Sequence, residues 1–81
     1  MRQNEFTGRF RDSSIEELIT TFNREVGIPS FIAARGRYLI AMREEFLRRR
    51  DYDVSAFIGE RTICLRDRVH LVGNKIAPIP A

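Results

Sequence analysis

Chemistry in this chain would have to come from very few groups, because it holds one histidine, His70, and one cysteine, Cys64. If residues 66–68 form a three-residue turn between two strands, these side chains face each other across a hairpin. A thiolate–imidazolium pair would then be available for nucleophilic attack. No third group to orient the imidazole and no oxyanion donor accompanies them. Cys64 therefore reads more simply as a small half-buried apolar residue, and His70 as a solvent-facing strand residue. Two ligands also fall short of the three or four that a zinc site needs. The glycines stand singly, without the clustered spacing that cradles a phosphate. The sequence points away from an enzyme: no catalytic residue, no metal and no cofactor is expected.

Arginine is the other chemistry-bearing residue. All cations but Lys75 are arginines, and the chain carries +3 with a pI near 9.8. The planar guanidinium fork suits phosphate and carboxylate equally. The charge is uneven: residues 27–50 set six arginines against Glu44 and Glu45, and residues 61–81 set Arg61, Arg66, Arg68 and Lys75 against Asp67. Glu44–Arg48 and Glu45–Arg49 have the favoured i,i+4 order and read as solvated helix pairs. Arg35, Arg43 and Arg50 fall inside or beside an apolar stripe, where each must snorkel or find a partner. Glu25 is the expected mate of Arg35, and Arg37 is expected to face solvent. The candidate binding set is thus Arg37, Arg43, Arg50, Arg61, Arg66, Arg68 and Lys75. Its partner would be nucleic acid, through phosphate contacts, or an acidic protein surface. Homo-oligomerisation is a further option, since a chain of 81 residues builds a minimal core. No aromatic residue interleaves with the charge after Phe57, so a stacking platform for single strands is not expected.

The elements that must position these groups are legible from their spacing. Either Ser13 or Ser14 can cap a helix, each with a glutamate three residues later in the capping-box arrangement. Ile15, Leu18, Ile19, Phe22 and Val26 then form one helical stripe. Gly27 and Pro29 end it, with Ile28 expected to fold back on Phe22. Ser30 can cap a second helix running to about Arg50, with Phe31, Ile32, Leu39, Ile40, Met42, Phe46 and Leu47 on its core face and Tyr38 at the edge. Gly36 would lie on that face as a point of close backbone approach. Asp53 would cap a short third helix, Val54 to Ile58, with Tyr52 and Phe57 spaced as a hydrophobic staple.

The period then becomes two, with Ile63, Leu65, Val69 and Leu71 on one side. Val72-Gly73-Asn74-Lys75 reads as a two-residue hairpin of type II′, which sets Leu71 opposite Ile76 and Val69 opposite Pro78. The proline requires an edge strand. Between Leu65 and Val69 a three-residue turn competes with one continuous strand. At the start of the chain, Phe6, Gly8 and Phe10 share a parity, so residues 1–11 read as an extended arm or extra strand. The order of helices followed by a hairpin resembles a winged helix-turn-helix. However, the short 54–58 segment, which would have to enter the groove, has no Arg, Lys, Asn or Gln.

Together these give one small α+β domain over 1–81: an N-terminal αα-hairpin plus a short third helix, then a small antiparallel β-hairpin or meander. The composition, 43% hydrophobic and 31% charged, is that of a folded chain. Met1 to Glu5 leads into no apolar stretch, and the longest apolar run is Phe31-Ile32-Ala33-Ala34, against the roughly 20 residues a membrane span needs. A cytoplasmic protein is expected, in keeping with its single cysteine.

The strings Phe22-Asn23-Arg24-Glu25-Val26-Gly27, Ala34-Arg35, Tyr38-Leu39, Glu45-Phe46 and Val72-Gly73-Asn74-Lys75-Ile76 resemble a group of short uncharacterised bacterial proteins, chiefly from Bacteroidota. Members tend to carry a tryptophan near the start of the second helix, where this chain has Ile28-Pro29-Ser30-Phe31. The resemblance implies a small stand-alone bacterial domain. It implies no activity, and no functional residue carries over.

Overall fold

A computed structural model describes residues 6–28 and 33–80. The elements are α1 (Thr7–Arg11), α2 (Ile15–Glu25), α3 (Ala33–Arg48), β1 (Val69–Val72) and β2 (Lys75–Pro78). Helices come first and a two-stranded antiparallel sheet follows, which is the α+β arrangement the periodicities predict.

Within the 1–11 segment expected to be an arm or strand, residues 1–5 lie outside the described residues and Thr7–Arg11 are helical instead. Phe6 and Phe10 are as well placed for a helix (i, i+4) as for a strand (i, i+2, i+4), and the helix puts both rings on Tyr38 of α3. Each ring meets Tyr38 edge-on with centroids 5.1 Å apart. Of the two candidate caps for α2, Ser14 serves. Its hydroxyl accepts from the Glu17 amide at 3.1 Å, and its own amide donates to Glu17 Oε1 at 2.7 Å. Ser13 instead donates to the carbonyl of Arg9, one turn back.

Ile15, Leu18, Ile19 and Phe22 of α2 are buried as the stripe requires. At its end, Val26 (φ −64°, ψ 126°) and Gly27 (φ 81°) make a type II turn closed by the Ile28 amide on Glu25 O. Ile28 does not fold back on Phe22; it stands 47% exposed, because this turn carries it outward. The expected cap Ser30, and Phe31 and Ile32, lie outside the described residues.

The core face of α3 is the expected one only in part. Met42 and Phe46 are buried and Tyr38 is half-buried at the edge, as expected, but Ala41 and Glu45 join them, whereas Ile40 is 56% and Leu47 43% exposed. Apolar residues occur on both sides of this helix, and the buried side carries Glu45 into the core. Gly36 is exposed with open space around it, so no close backbone approach explains it. Phe22, Phe46 and Phe57 meet edge-on at the centre, with centroids 4.9–6.0 Å apart.

Residues 54–58 make one hydrogen-bonded turn rather than a helix. Asp53 opens it by accepting from the Ser55 amide and hydroxyl, and these bonds hold its carboxyl below the usual aspartate range. Ile63 then bridges antiparallel to Ile58, and the Cys64 amide donates to Phe57 O. The 62–65 segment therefore runs back along 57–59, and residues 66–68 form neither a hairpin turn nor a continuous strand.

The terminal hairpin has the expected register, Leu71 opposite Ile76 and Val69 opposite Pro78. Gly73 has φ 62° while Asn74 has a negative φ, the II′ signature. Both outer edges are tied down. Asp53 bonds Asn74 and Ile76 beside β2, and the Asn23 side chain bonds both the N–H and the C=O of Val69 on β1 at 2.8 and 2.9 Å.

Candidate functional site

Several arginines serve the fold. Arg35 Nε meets Glu25 Oε1 at 3.1 Å, the pairing expected from sequence, and Nη2 reaches the Glu25 carbonyl. Together they join the start of α3 to the end of α2. The Glu25 charge, after burial, also helps to push the Tyr38 hydroxyl above its ordinary pKa.

Glu45 is the hub of a second cluster. Its buried carboxylate accepts from Arg48 Nη2 at 2.6 Å, Arg48 Nε at 3.1 Å and Arg49 Nε at 2.7 Å. Arg49 also donates to the carbonyls of Phe10 and Ser13, so one guanidinium ties α3 to the α1–α2 junction. Burial, the largest influence on Glu45, pushes its pKa up; the hydrogen bonds and charges of Arg48 and Arg49 outweigh it, and the carboxyl titrates below the usual range. Read as an exposed surface pair, Glu45–Arg49 is instead an internal strut. The Glu44–Arg48 pair does not form; Arg48 turns to Glu45.

The seven expected binding residues divide. Arg43 is half-buried and committed, donating to the carbonyls of Thr62, Gly59 and Glu60, and so pinning the 59–62 loop to α3. Arg37, Arg50, Arg61, Arg66, Arg68 and Lys75 are exposed. Arg43 and Arg50 border a shallow depression of about 330 Å³ on α3 with Glu44, Leu47 and Arg48. Arg68 borders a different one of about 250 Å³, with Thr20, Asn23 and Arg24. Lys75 lies beside Asp53.

Spacing alone missed the outward face of α3. Ile40 and Leu47 are two turns apart on one stripe, about 180° around the helix from the buried side. Arg43 and Glu44 lie between them on the same strip. The overlooked signal was the alternative stripe Tyr38, Ala41, Met42, Glu45, Phe46 and Arg49. It has the same 3–4 spacing but contains an acid–base pair that can neutralise itself.

Cys64 is exposed and His70 sits half-buried in β1, with no hydrogen bond joining them, because the 62–65 segment pairs with 57–59. Among the described residues no cluster of three or more His, Cys, Asp or Glu could hold a metal, and no helix is long and apolar enough to cross a membrane. Compared with known proteins, the chain matches no family model, no curated protein and no solved structure.

Proposed function

We propose that this chain is a small non-enzymatic interaction module that docks onto protein through the outward face of α3, its arginines meeting carboxylates of the partner. The observation that carries this reading is the exposure of Ile40 and Leu47 on one stripe opposite the core. Single exposed apolar residues are ordinary on protein surfaces. Two on one helical stripe, bordered by Arg43, Glu44 and Arg48, have the anchor spacing of helix-mediated recognition. Covering each would contribute about 1.5–3 kcal/mol if burial were complete. A photo-crosslinking residue in place of Ile40 should yield a covalent adduct with a polypeptide in cells making the protein. The same residue in place of exposed Glu16 should not. Absence of any polypeptide adduct at position 40 would overturn the reading.

Nucleic-acid binding is kept as a second reading on a narrower basis. Arg24 and Arg68 share one depression, and Arg61, Arg66 and Lys75 are exposed nearby in sequence. Such contacts would be made to phosphates and would carry no base specificity. Binding to random-sequence DNA or RNA should then weaken steeply between about 50 and 200 mM salt. No binding at the lower concentration removes this reading.

A further inference from the structure

Resting on the phosphate contacts of the nucleic-acid reading above, we propose that the depression between α2 and β1 is a binding site for the dianion of a phosphate monoester, either free or at the end of a nucleic-acid strand. The depression measures about 250 Å³ and is bordered by Thr20, Asn23, Arg24 and Arg68. One link between distant parts of the chain creates it. The Asn23 side chain accepts from the N–H of Val69 at 2.8 Å and donates to its C=O at 2.9 Å, which fixes α2 against β1. Arg24 follows Asn23 and Arg68 precedes Val69. The same pair of bonds therefore sets two guanidinium groups, from different elements, around one hollow.

The donors of this hollow are uncommitted. Arg24 and Arg68 are exposed, and neither guanidinium makes a hydrogen bond or ion pair among the described residues. The Asn23 amide nitrogen spends one hydrogen on Val69 and keeps a second. Thr20 donates its hydroxyl hydrogen to Glu16 O and so offers only lone pairs. No carboxylate borders the hollow, whereas the depression on α3 includes Glu44. Glu16 and Glu17 border a neighbouring depression with Arg24. Glu17 is held there by the Ser14 cap, and Glu16 lies eight residues, about 12 Å along the helix, before Arg24. Glu25, next to Arg24, is held by Arg35, and Asp67 is exposed beside Arg68 without bordering the hollow.

Charge and shape select the ligand. Each planar fork can meet two oxygens, so two forks from different elements suit a tetrahedral group with three free oxygens better than a planar carboxylate with two. A phosphate monoester carries about −1.5 to −2 at pH 7, because its second pKa is near 6, and so balances both arginines. A backbone diester carries a single charge and balances one of them. The hollow is shallow and open to water, so an affinity of about 1 mM at low salt is expected.

Heteronuclear NMR of the whole chain, titrated with methyl phosphate at about pH 7.5 and constant low salt, should show saturable shifts at the Nε–H of Arg24 and Arg68 and at the Asn23 side-chain amide. Dimethyl phosphate should bind at least about tenfold more weakly, and methyl phosphate should weaken as pH falls through about 6. Arg24→Gln and Arg68→Gln should each lower the affinity at least about tenfold, the worth of one charge-assisted contact, while Arg61→Gln leaves it unchanged. The same spectra report whether each variant keeps the wild-type fold. No saturable shift at these three groups, equal binding of dimethyl phosphate, or unchanged affinity in either variant overturns the proposal. Oligonucleotides with and without a terminal phosphate separate the two sources. Tighter binding of the phosphorylated strand, lost in Arg24→Gln, assigns the dianion to a nucleic-acid end. If methyl phosphate binds and the two strands behave alike, the ligand is a free monoester, and binding of either strand at about 50 mM salt decides the nucleic-acid reading separately. If the strands bind and methyl phosphate does not, the nucleic-acid reading survives and this site is lost.

Discussion

Glu45 offers the sharpest test of how α3 is held. Its side chain is 3% exposed and accepts three hydrogen bonds, two from Arg48 and one from Arg49, whose guanidinium also bonds the carbonyls of Phe10 and Ser13. Removing one member of a buried ion pair costs about 3–5 kcal/mol, chiefly by leaving the other charge uncompensated. Here the Arg48 side chain is 45% exposed and water can take its share, while Arg49 at 14% cannot rehydrate as freely. Glu45→Ala should therefore cost about 2–4 kcal/mol, below the buried-pair range but well above a surface pair. A domain of this length has about 4–12 kcal/mol in all, so the thermal midpoint should fall by at least about 8 °C. Urea unfolding followed by far-ultraviolet circular dichroism measures the loss directly. Because the folded carboxyl titrates below its unfolded value, its contribution is complete above about pH 4.3 and disappears as pH falls through the folded value. Glu45→Gln should accordingly flatten the acid side of the stability profile. A Glu45→Ala protein within about 0.5 kcal/mol of wild type, the range of ordinary surface substitutions, would refute the reasoning. An unchanged acid slope in Glu45→Gln would do the same.

Two further substitutions test the local assignments. Ser14→Ala should cost about 1 kcal/mol by removing the reciprocal cap of α2. Ser13→Ala removes only an exposed bond to Arg9 O and should cost under about 0.5 kcal/mol, so equal losses in urea titrations would contradict the choice of cap. Asn23→Ala should cost about 1–3 kcal/mol, because it leaves both backbone groups of Val69 without a partner on that edge. Amide hydrogen exchange at Val69 should accelerate, and unchanged protection there would count against the link between α2 and the sheet.

What the sequence disclosed and what it concealed follow from the range of the interactions involved. The α2 stripe, its capping box, the Gly73 turn and the Leu71–Ile76 register are decided by residues within a few positions of each other, and all were readable. The Glu25–Arg35 pair was readable too, since a short connection leaves the two side chains few other partners. The segments that went astray were settled by distant contacts. Phe6 and Phe10 take helical spacing because Tyr38, far along the chain, accepts both rings. Residues 62–65 alternate as a strand should, yet they return along Phe57 and Ile58 rather than extending β1.

The case of α3 follows from the same principle and bears on function. Its apolar residues lie on two opposite sides, so the 3.6-residue period is satisfied by either orientation and cannot choose between them. Hydrophobicity alone favours burying Ile40 and Leu47 over Ala41 and Glu45. The choice is reversed by a group ordinarily unfit for a core: Glu45 carries two arginines with it, and Arg49 closes the α1–α2 junction only if that side faces inward. Burying the ion cluster thus forces an isoleucine and a leucine into solvent. An isolated domain could have lowered this cost with polar residues at those two positions. Their exposure on the face where Arg43 and Glu44 also lie is the physical basis of the docking reading proposed above.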